Sequence, residues 1–136
     1  MNIHVKIWDV AASDPCIEKI AALIEKYDCV RHVYFMSTNT ERLIEMRKRL
    51  PHAGYCQGAG NGHEDMIKKA IEHKLDKVQF VYWYPYDKSM IDECHAHGIR
   101  CNFCQADTPE EAKKVFEMGI DCVLTNDFNF VKSGLE

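Results

Sequence analysis

Short apolar runs alternate along the chain with segments whose apolar residues recur at helical spacing. The runs are rich in β-branched and aromatic residues, and each has about the length of a buried strand. They span residues 3–8, 32–37, 53–57, 78–83, 99–104 and 120–125. Strict alternation of strand and helix predicts parallel strands joined by right-handed crossovers. The pattern therefore predicts an α/β fold of about six strand–helix units in one domain, residues 1–136.

Residues that typically begin and end helices fall between the predicted strands. Thr108 and Glu111 have the spacing of a capping box, and Asp87 can cap the helix before the fifth strand. Gly98 and Gly119 follow predicted helix ends, where a left-handed residue is favoured. The placement of these five residues supports the division into repeated units.

Two architectures satisfy this pattern. One is an open, doubly wound sheet, and the other is part of a (β/α)8 barrel, which typically needs about 250 residues. Periodicity does not separate them. In both, functional groups are expected at the carboxyl ends of the strands.

The composition of the chain bears on whether it binds nucleic acid, spans a membrane or is secreted. The chain has 136 residues and a formal net charge of −4, so we expect no nucleic-acid partner. No apolar run reaches the length of a membrane span, and the N-terminus lacks the layout of a signal peptide. These features predict a cytoplasmic protein whose seven cysteines are reduced thiols.

The last third of the chain carries a motif. Gly119-Ile120-Asp121, Leu124-Thr125 and, after an inserted Asn126, Asp127 resemble the G-[VI]-D-x-[IL]-x-T-D segment that ends glycerophosphodiester phosphodiesterases. Near the start, residues 3–6 resemble that family's strand with a Glu-x-Lys core, and residues 34–37 its strand ending in a serine turn. The resemblance implies a partial TIM-type barrel of about six strands, equivalent to strands three to eight of the family.

The same resemblance implies a function. The family hydrolyses glycerophosphodiesters in glycerophospholipid metabolism, with a divalent metal, Ca²⁺ or Mg²⁺, and histidines as general acid and base. Its first strand carries a His-Arg pair and its second a Glu-x-Asp pair, and nothing before Met1 in this sequence supplies them. The metal carboxylate of strand three is replaced by His4, and the usual Trp and Thr of strand seven by Phe103 and Cys104. We therefore expect a truncated barrel, inactive alone on its small-molecule phosphodiester.

Candidate site residues lie where the predicted strands end. His4 and Lys6 are two apart on a strand and share a face, so Lys6 is a candidate phosphate contact and His4 a candidate metal ligand. A histidine in place of a glutamate favours a softer ion. The alternative is an edge strand with two solvated polar groups. The other rim candidates are Ser37, Gln57, Phe103, Thr125 and Asp127.

A glycine-rich loop and an aromatic cluster add further candidates. Gly58 and Gly60 lie in a loop between a strand and a helix, which can cradle a phosphate or serve only as a flexible connection. Trp83 belongs to a cluster with Tyr82, Tyr84 and Tyr86, which can line a headgroup pocket or simply pack. We predict substrate contacts from Gly58, Gly60 and Trp83.

The Cys101-x-x-Cys104 pair is not predicted to be a redox or zinc motif. Positions three apart on a strand face opposite sides, and the sequence contains no second pair at zinc spacing. His95 and His97 are expected at the surface beside a helix C-terminus, without a metal role.

A second class of function is a non-catalytic binding or assembly module. The outer edges of a six-stranded parallel arc invite pairing with another chain. A homo-oligomer, or a separate N-terminal fragment that completes the barrel, would satisfy those edges. A truncated gene product is the third possibility.

Overall fold

Six strands alternate with six α-helices in the computed structural model, which describes residues 1–6 and 13–136. The strands are β1 Asn2–His4, β2 Tyr34–Ser37, β3 Gly54–Gly58, β4 Lys77–Val81, β5 Arg100–Cys104 and β6 Cys122–Leu124. The helices are α1 Ser13–Lys26, α2 Thr40–Arg49, α3 His63–Glu72, α4 Lys88–Ala96, α5 Pro109–Glu117 and α6 Phe128–Ser133. The prediction of six strand–helix units is confirmed. Residues 7 and 8 of the first predicted strand lie outside the described residues, and β4 ends before Trp83.

All six strands are parallel and follow one another in the sheet in chain order, β1 to β6. A doubly wound sheet reverses its strand order at a switch point. An unreversed order places every right-handed crossover helix on the same face of the sheet, as in a barrel. The partial TIM-type barrel is therefore confirmed, and the open doubly wound sheet is excluded.

One contact demonstrates that the sheet curls. Tyr34 on β2 accepts a hydrogen bond at its hydroxyl oxygen from the Asn102 side-chain amide on β5, at 3.3 Å. In a flat sheet the three intervening strand spacings would separate β2 from β5 by about 14 Å. The Lys77 ammonium on β4 lies 4.3 Å from the centroid of the same tyrosine ring. The sheet is therefore strongly curved, and Tyr34 lies across the face that the helices leave uncovered.

The helix-facing side of the sheet holds the hydrophobic core. Alternation along the strands places Phe35, Tyr55, Val78, Phe80 and Phe103 on this side, all at most 3% exposed. Apolar residues of the helices pack against them. They include Leu43, Met46, Met66, Ile91 and Val115. Burial of this two-layer core is the main stabilising contribution to the unit.

The opposite side of the sheet, called here the open face, is more polar. It carries Tyr34, Cys56, Gln79, Asn102 and Cys122, of which Gln79 and Asn102 are 5% and 1% exposed. The side-chain oxygens of Gln79 and Asn102 have no hydrogen-bond partner among the described residues. Unpaired buried acceptors are costly, so the open face contributes less to stability than the helix-facing side.

Two aspartates fasten the start of one strand to the start of the strand before it. Asp76 accepts the Tyr55 backbone N–H at 2.7 Å and donates its own N–H to the Tyr55 carbonyl at 3.0 Å. Asp121 repeats the arrangement with Cys101, at 2.7 and 2.8 Å. The Gly-Ile-Asp motif therefore has a structural role at the amino end of β6, away from the predicted rim.

The predicted helix signals are confirmed. Thr108 and Glu111 form a reciprocal capping box on α5, and the Asp87 side chain accepts the Met90 N–H at the start of α4. Gly98 and Gly119 adopt left-handed φ angles of 71° and 108° after α4 and α5. None of the helices in the described ranges combines the length and the apolar character needed to span a bilayer.

Candidate functional site

The carboxyl ends of the strands and the loops that follow them form one end of the curved sheet, called here the mouth. A cavity of about 650 Å³ lies at the β1–β2 end of the mouth. His4, Lys6, Ser37 and Asn39 are among its lining residues. Lys6 follows β1, is exposed, and forms no salt bridge or hydrogen bond with the described residues. Its ammonium is therefore available to an anion in this cavity.

His4 lies beside Lys6 at the end of β1. Desolvation by burial lowers the pKa of His4, and the positive charge of Lys6 lowers it further. The imidazole is consequently neutral at physiological pH, with one ring nitrogen able to accept a hydrogen bond or a soft cation. The pair thus presents one positive group and one neutral base to the same cavity.

Ser37 and Gln57 turn toward the helix layer. The Ser37 hydroxyl accepts the Asn39 N–H at 3.1 Å, and the Gln57 side-chain oxygen accepts the Thr40 hydroxyl at 2.9 Å. The Gln57 amide nitrogen donates to the carbonyls of Thr38 and Gly58, each at 3.1 Å. Both side chains hold the β2–α2 loop, and their role as contacts to substrate stays a prediction.

The glycine loop after β3 is shaped by close packing. A Cβ at Gly58 would lie 3.0 Å from the Met36 sulfur and 3.2 Å from the Thr38 methyl group. The Gly60 carbonyl accepts the Tyr84 hydroxyl at 3.0 Å. These contacts support the structural explanation of Gly58, and a phosphate role for Gly58 and Gly60 stays a prediction.

A buried histidine organises the aromatic cluster. His63 Nε2 accepts the Val81 N–H at 3.0 Å, so Nδ1 carries the ring proton and donates it to the Pro85 carbonyl at 3.0 Å. Burial lowers the pKa of His63, which keeps the ring neutral. Tyr84 and Tyr86 pack edge-on against this ring, with centroids 5.7 and 5.9 Å away. His63 therefore fixes the β4–α4 loop to the first turn of α3.

The remaining aromatic residues divide between solvent and core. Tyr82 and Trp83 are 66% and 57% exposed and contact each other edge-to-face, with centroids 4.9 Å apart. Phe103, a predicted rim residue, is buried in the helix-facing core and packs against Tyr86 at 5.3 Å. Trp83 is thus the candidate of this group that a ligand at the mouth can reach.

Asp107 connects the loops after β5 and β6. Its carboxylate accepts hydrogen bonds from the Thr125 hydroxyl at 3.2 Å, the Gln105 side chain at 2.7 Å, and both the backbone and side chain of Asn126 at 2.8 and 2.9 Å. The Asn126 bonds, foremost, lower the pKa of Asp107. Asp127 caps α6 by accepting the Phe130 N–H at 3.0 Å. Thr125 and Asp127 thus have structural partners, and their site roles stay predictions.

The mouth does not provide a set of ligands for a hard cation. Ca²⁺ and Mg²⁺ require several oxygen ligands. His4 supplies nitrogen, and the Asp107 oxygens already accept four hydrogen bonds. Glu41 and Glu72 also line the cavity, but they form no three-residue ligand group with other described residues. In the described ranges, a single group of three metal-ligating side chains comes together, and it consists of His95, Cys101 and Asp121 at the opposite end of the sheet. The predicted Ca²⁺ or Mg²⁺ therefore does not fit the described mouth residues.

Solved structures reproduce the geometry of the chain. A glycerophosphodiester phosphodiesterase from Silicibacter pomeroyi superposes with a TM-score of 0.86 at 15% identity, over 97% of this chain and 48% of the other. The chain has the fold of part of a glycerophosphodiester phosphodiesterase barrel. The corresponding enzyme from Galdieria sulphuraria gives a TM-score of 0.81 at 18% identity, over 98% and 55% of the two chains.

A third similar structure contains a ligand. It is a phosphodiesterase from Oleispira antarctica in complex with its product sn-glycerol 3-phosphate, with a TM-score of 0.82, 14% identity and coverage of 98% and 54%. The chain thus spans about half the length of each glycerophosphodiester phosphodiesterase structure, consistent with a C-terminal portion. No protein-family model and no curated protein matches the sequence.

The structure brings His4, Lys6 and Ser37 to one cavity. Asp127 follows β6, at the other edge of the sheet from β1. Sequence reasoning missed His63 and Asp107, although both stand where a strand end meets a helix start. The available signal was their position beside helix N-termini, where polar side chains commonly bind backbone groups.

Proposed function

We propose that the chain is the strand-three-to-eight portion of a glycerophosphodiester phosphodiesterase-type barrel and that Lys6 contacts the phosphate of a small-molecule phosphodiester. The observation that carries the proposal is the Lys6 ammonium in the cavity at the carboxyl end of β1, which has no hydrogen-bond or salt-bridge partner among residues 1–6 and 13–136. In a barrel of this kind, ligands bind at that end of the strands. The Oleispira phosphodiesterase, which shares the fold, binds sn-glycerol 3-phosphate. Membership of the family is part of this proposal.

Lys6 places a positive charge at the carboxyl end of β1, in a cavity that Glu41 and Glu72 also line. Lys6 is a point charge suited to a phosphate oxygen, and the neighbouring His4 is neutral at physiological pH, because burial and Lys6 lower its pKa. A bound phosphate would lower the cost of protonating His4, so the imidazole can become a second donor when a ligand is present. Trp83, more than half exposed, offers an apolar surface for the alcohol portion.

We further propose that these 136 residues alone have negligible phosphodiesterase activity. Hydrolysis in the family uses paired metal carboxylates and histidines as general acid and base, and the described mouth residues assemble no hard-cation site. A partner segment equivalent to the first two strands of the barrel would have to supply those groups. The compartment we propose is the cytoplasm, in keeping with seven unpaired cysteines.

Ligand binding and turnover are tested separately. Titration of the ¹⁵N-labelled protein with sn-glycerol 3-phosphate should shift amide signals around Lys6, and Lys6→Met should abolish the shifts. Lys113→Met, at an exposed position on α5, is the matched control and should leave them unchanged. Shifts that persist in Lys6→Met would contradict the phosphate contact.

Turnover of glycerophosphocholine by highly purified protein, with Ca²⁺ or Mg²⁺ added, should not exceed the blank. Adding a fragment that carries strands one and two of a related barrel should then raise the rate if the chain is one half of a split enzyme. Clear turnover by the chain alone would refute the proposed inactivity without affecting the proposed phosphate contact.

A second candidate function is an assembly module, because the open face and both sheet edges lack partners in the described chain. β1 pairs with β2 alone and β6 with β5 alone, and exposed parallel edges can pair with another chain. The unpaired oxygens of Gln79 and Asn102 would also gain donors from a second copy. Multi-angle light scattering should then give a dimer mass, and a strict monomer at micromolar concentration would contradict edge pairing.

A further inference from the structure

Three side chains that commonly bind metal meet at the amino end of β5, opposite the mouth. They are His95 in the last turn of α4, Cys101 on β5, and Asp121 in the turn before β6. Their ligand atoms all lie within 4.8 Å of one another, and no other trio of this kind exists in the described ranges. The three residues come from separate elements, so their meeting is a product of the fold.

The contacts around the trio orient each ligand. The Asp121 carboxylate accepts the Cys101 backbone N–H at 2.7 Å and lies 3.0 Å from His95 Nε2. The turn at Gly119 passes close to the imidazole, since a Cβ there would lie 3.7 Å from His95 Cε1 and its φ of 108° suits glycine. The carboxylate is thus held between the imidazole and the Cys101 backbone, and the Cys101 sulfur lies within 4.8 Å of both groups.

We propose that His95, Cys101 and Asp121 bind one thiophilic divalent cation of the zinc class, with water as the fourth ligand. Zinc binds cysteine, histidine and aspartate at about 2.0–2.3 Å, so ligand atoms around a tetrahedral ion are separated by roughly 3.3–3.8 Å. The longest separation therefore has to shorten by about 1 Å, and the 3.0 Å contact between His95 Nε2 and the Asp121 carboxylate has to open slightly. Cys101 is buried, whereas His95 and Asp121 reach the surface, which leaves a solvent-facing position for the water.

Ligand chemistry separates this site from the metal implied for the family. Ca²⁺ and Mg²⁺ take oxygen ligands, whereas thiolate and imidazole select softer ions. The site is also at the opposite end of the strands from Lys6 and His4. It is independent of the proposed phosphodiester function, and neither proposal fails with the other.

Binding releases the thiol proton, because the thiolate is the ligand: the sulfur–hydrogen bond breaks, a sulfur–metal bond forms, and the proton goes to solvent. A hydrogen bond with Cys94, then burial and the charges of Cys94, Asp121 and Cys56, raise the pKa of Cys101. Arg100, 3.9 Å from the Asp121 carboxylate, adds a positive charge that opposes the cation. Because the thiolate is the form that binds, affinity should increase with pH.

Cobalt is the probe for the experiment, because thiolate–Co²⁺ charge transfer absorbs in the near ultraviolet and tetrahedral Co²⁺ absorbs strongly in the visible. Metal-free, reduced protein is titrated with Co²⁺, then with Zn²⁺ as competitor. We expect both absorptions to saturate at one equivalent, and Zn²⁺ but not Ca²⁺ to displace the cobalt. Circular dichroism confirms that each variant is folded.

Variants identify the ligands. Cys101→Ser should remove the charge-transfer band, and His95→Gln should weaken cobalt binding by at least about 10-fold. The matched controls His97→Gln and Cys16→Ser, both at exposed positions, should retain the wild-type spectrum. The absence of a charge-transfer band in the wild-type protein, its survival in Cys101→Ser, or its loss in Cys16→Ser would overturn the proposal.

Discussion

The two faces of the sheet bury their side chains to a similar extent but satisfy them differently. On the helix-facing side, Gln57 is 1% exposed and forms hydrogen bonds through both its side-chain oxygen and its nitrogen. On the open face, Gln79 and Asn102 are nearly as buried, yet each keeps an unpaired oxygen. Asn2, also on the open face, has a third such oxygen, and these are all the unpaired buried side-chain oxygens in the described ranges. The buried Gln57 side chain on the helix-facing side therefore has hydrogen-bond partners within the described residues, whereas three buried oxygens on the open face have none there.

The largest expected effect is a difference in the free energy of unfolding between substitutions at two adjacent residues of β4, Phe80 and Gln79. Phe80→Ala removes a fully buried ring from the helix-facing core and should lower the free energy of unfolding by about 3–5 kcal/mol. Gln79→Leu, on the open face, removes an unpaired acceptor and should change it by less than about 1 kcal/mol. Urea denaturation measures both, and equal losses would erase the distinction between the faces.

A smaller effect concerns pH on the helix-facing side. Burial lowers the pKa of His63 below 6.5, so the unfolded chain takes up a proton that the folded chain excludes. Stability should be unaffected by His63 well above pH 6.5 and should fall, as the pH drops from there through the folded pKa, by at most about 1.4 kcal/mol per pH unit.

Urea midpoints at about pH 7.5 and about pH 5.5 test this dependence. His63→Phe should show a smaller difference between the two conditions than the wild type. The pKa of His4 is also lowered, so His4→Gln is the necessary control. If His63→Phe keeps the full pH dependence of stability, that dependence arises from groups other than His63.

The smallest effect is expected on the open face. Tyr34→Phe removes the hydroxyl that accepts from the Asn102 amide and should cost about 1 kcal/mol. Burial, and then the nearby Cys56 and Cys122, raise the pKa of Tyr34 to about 12. Burial also raises the pKa of Tyr55 and Tyr86, so absorbance titration of Tyr34→Phe should show one late-ionising tyrosine fewer than the wild type. Ionisation of Tyr34 together with the exposed tyrosines would show that the curl does not cover this ring.

Much of the fold could be predicted because its determinants are local. The capping box at Thr108 and Glu111 and the left-handed glycines at 98 and 119 depend on residues within one turn. The choice between a barrel and a doubly wound sheet required strand order, which periodicity does not encode. The family resemblance suggested the barrel, and the unreversed order of strands then confirmed it.

The candidate site was less predictable because its contacts join distant residues. Asp107 binds Asn126 and Thr125 across two loops, which requires the β5–β6 register. His95 and Asp121 are 26 residues apart and meet only when α4 packs on β5. For Ser37 and Gln57 a signal did exist, since each stands two residues after a large aromatic on its strand and shares that residue's face.

Strands β3 and β5 each depend on an aspartate that lies later in the chain, Asp76 and Asp121 respectively. Each aspartate belongs to a later unit yet completes the first hydrogen bonds of the strand before it. A fragment cut at Gly119 would therefore leave the Cys101 N–H without its acceptor, although every residue of β5 would be present. Shorter fragments or circular permutants of this protein should therefore be cut after Asp76 or Asp121, so that β3 or β5 keeps the acceptor for its first N–H groups.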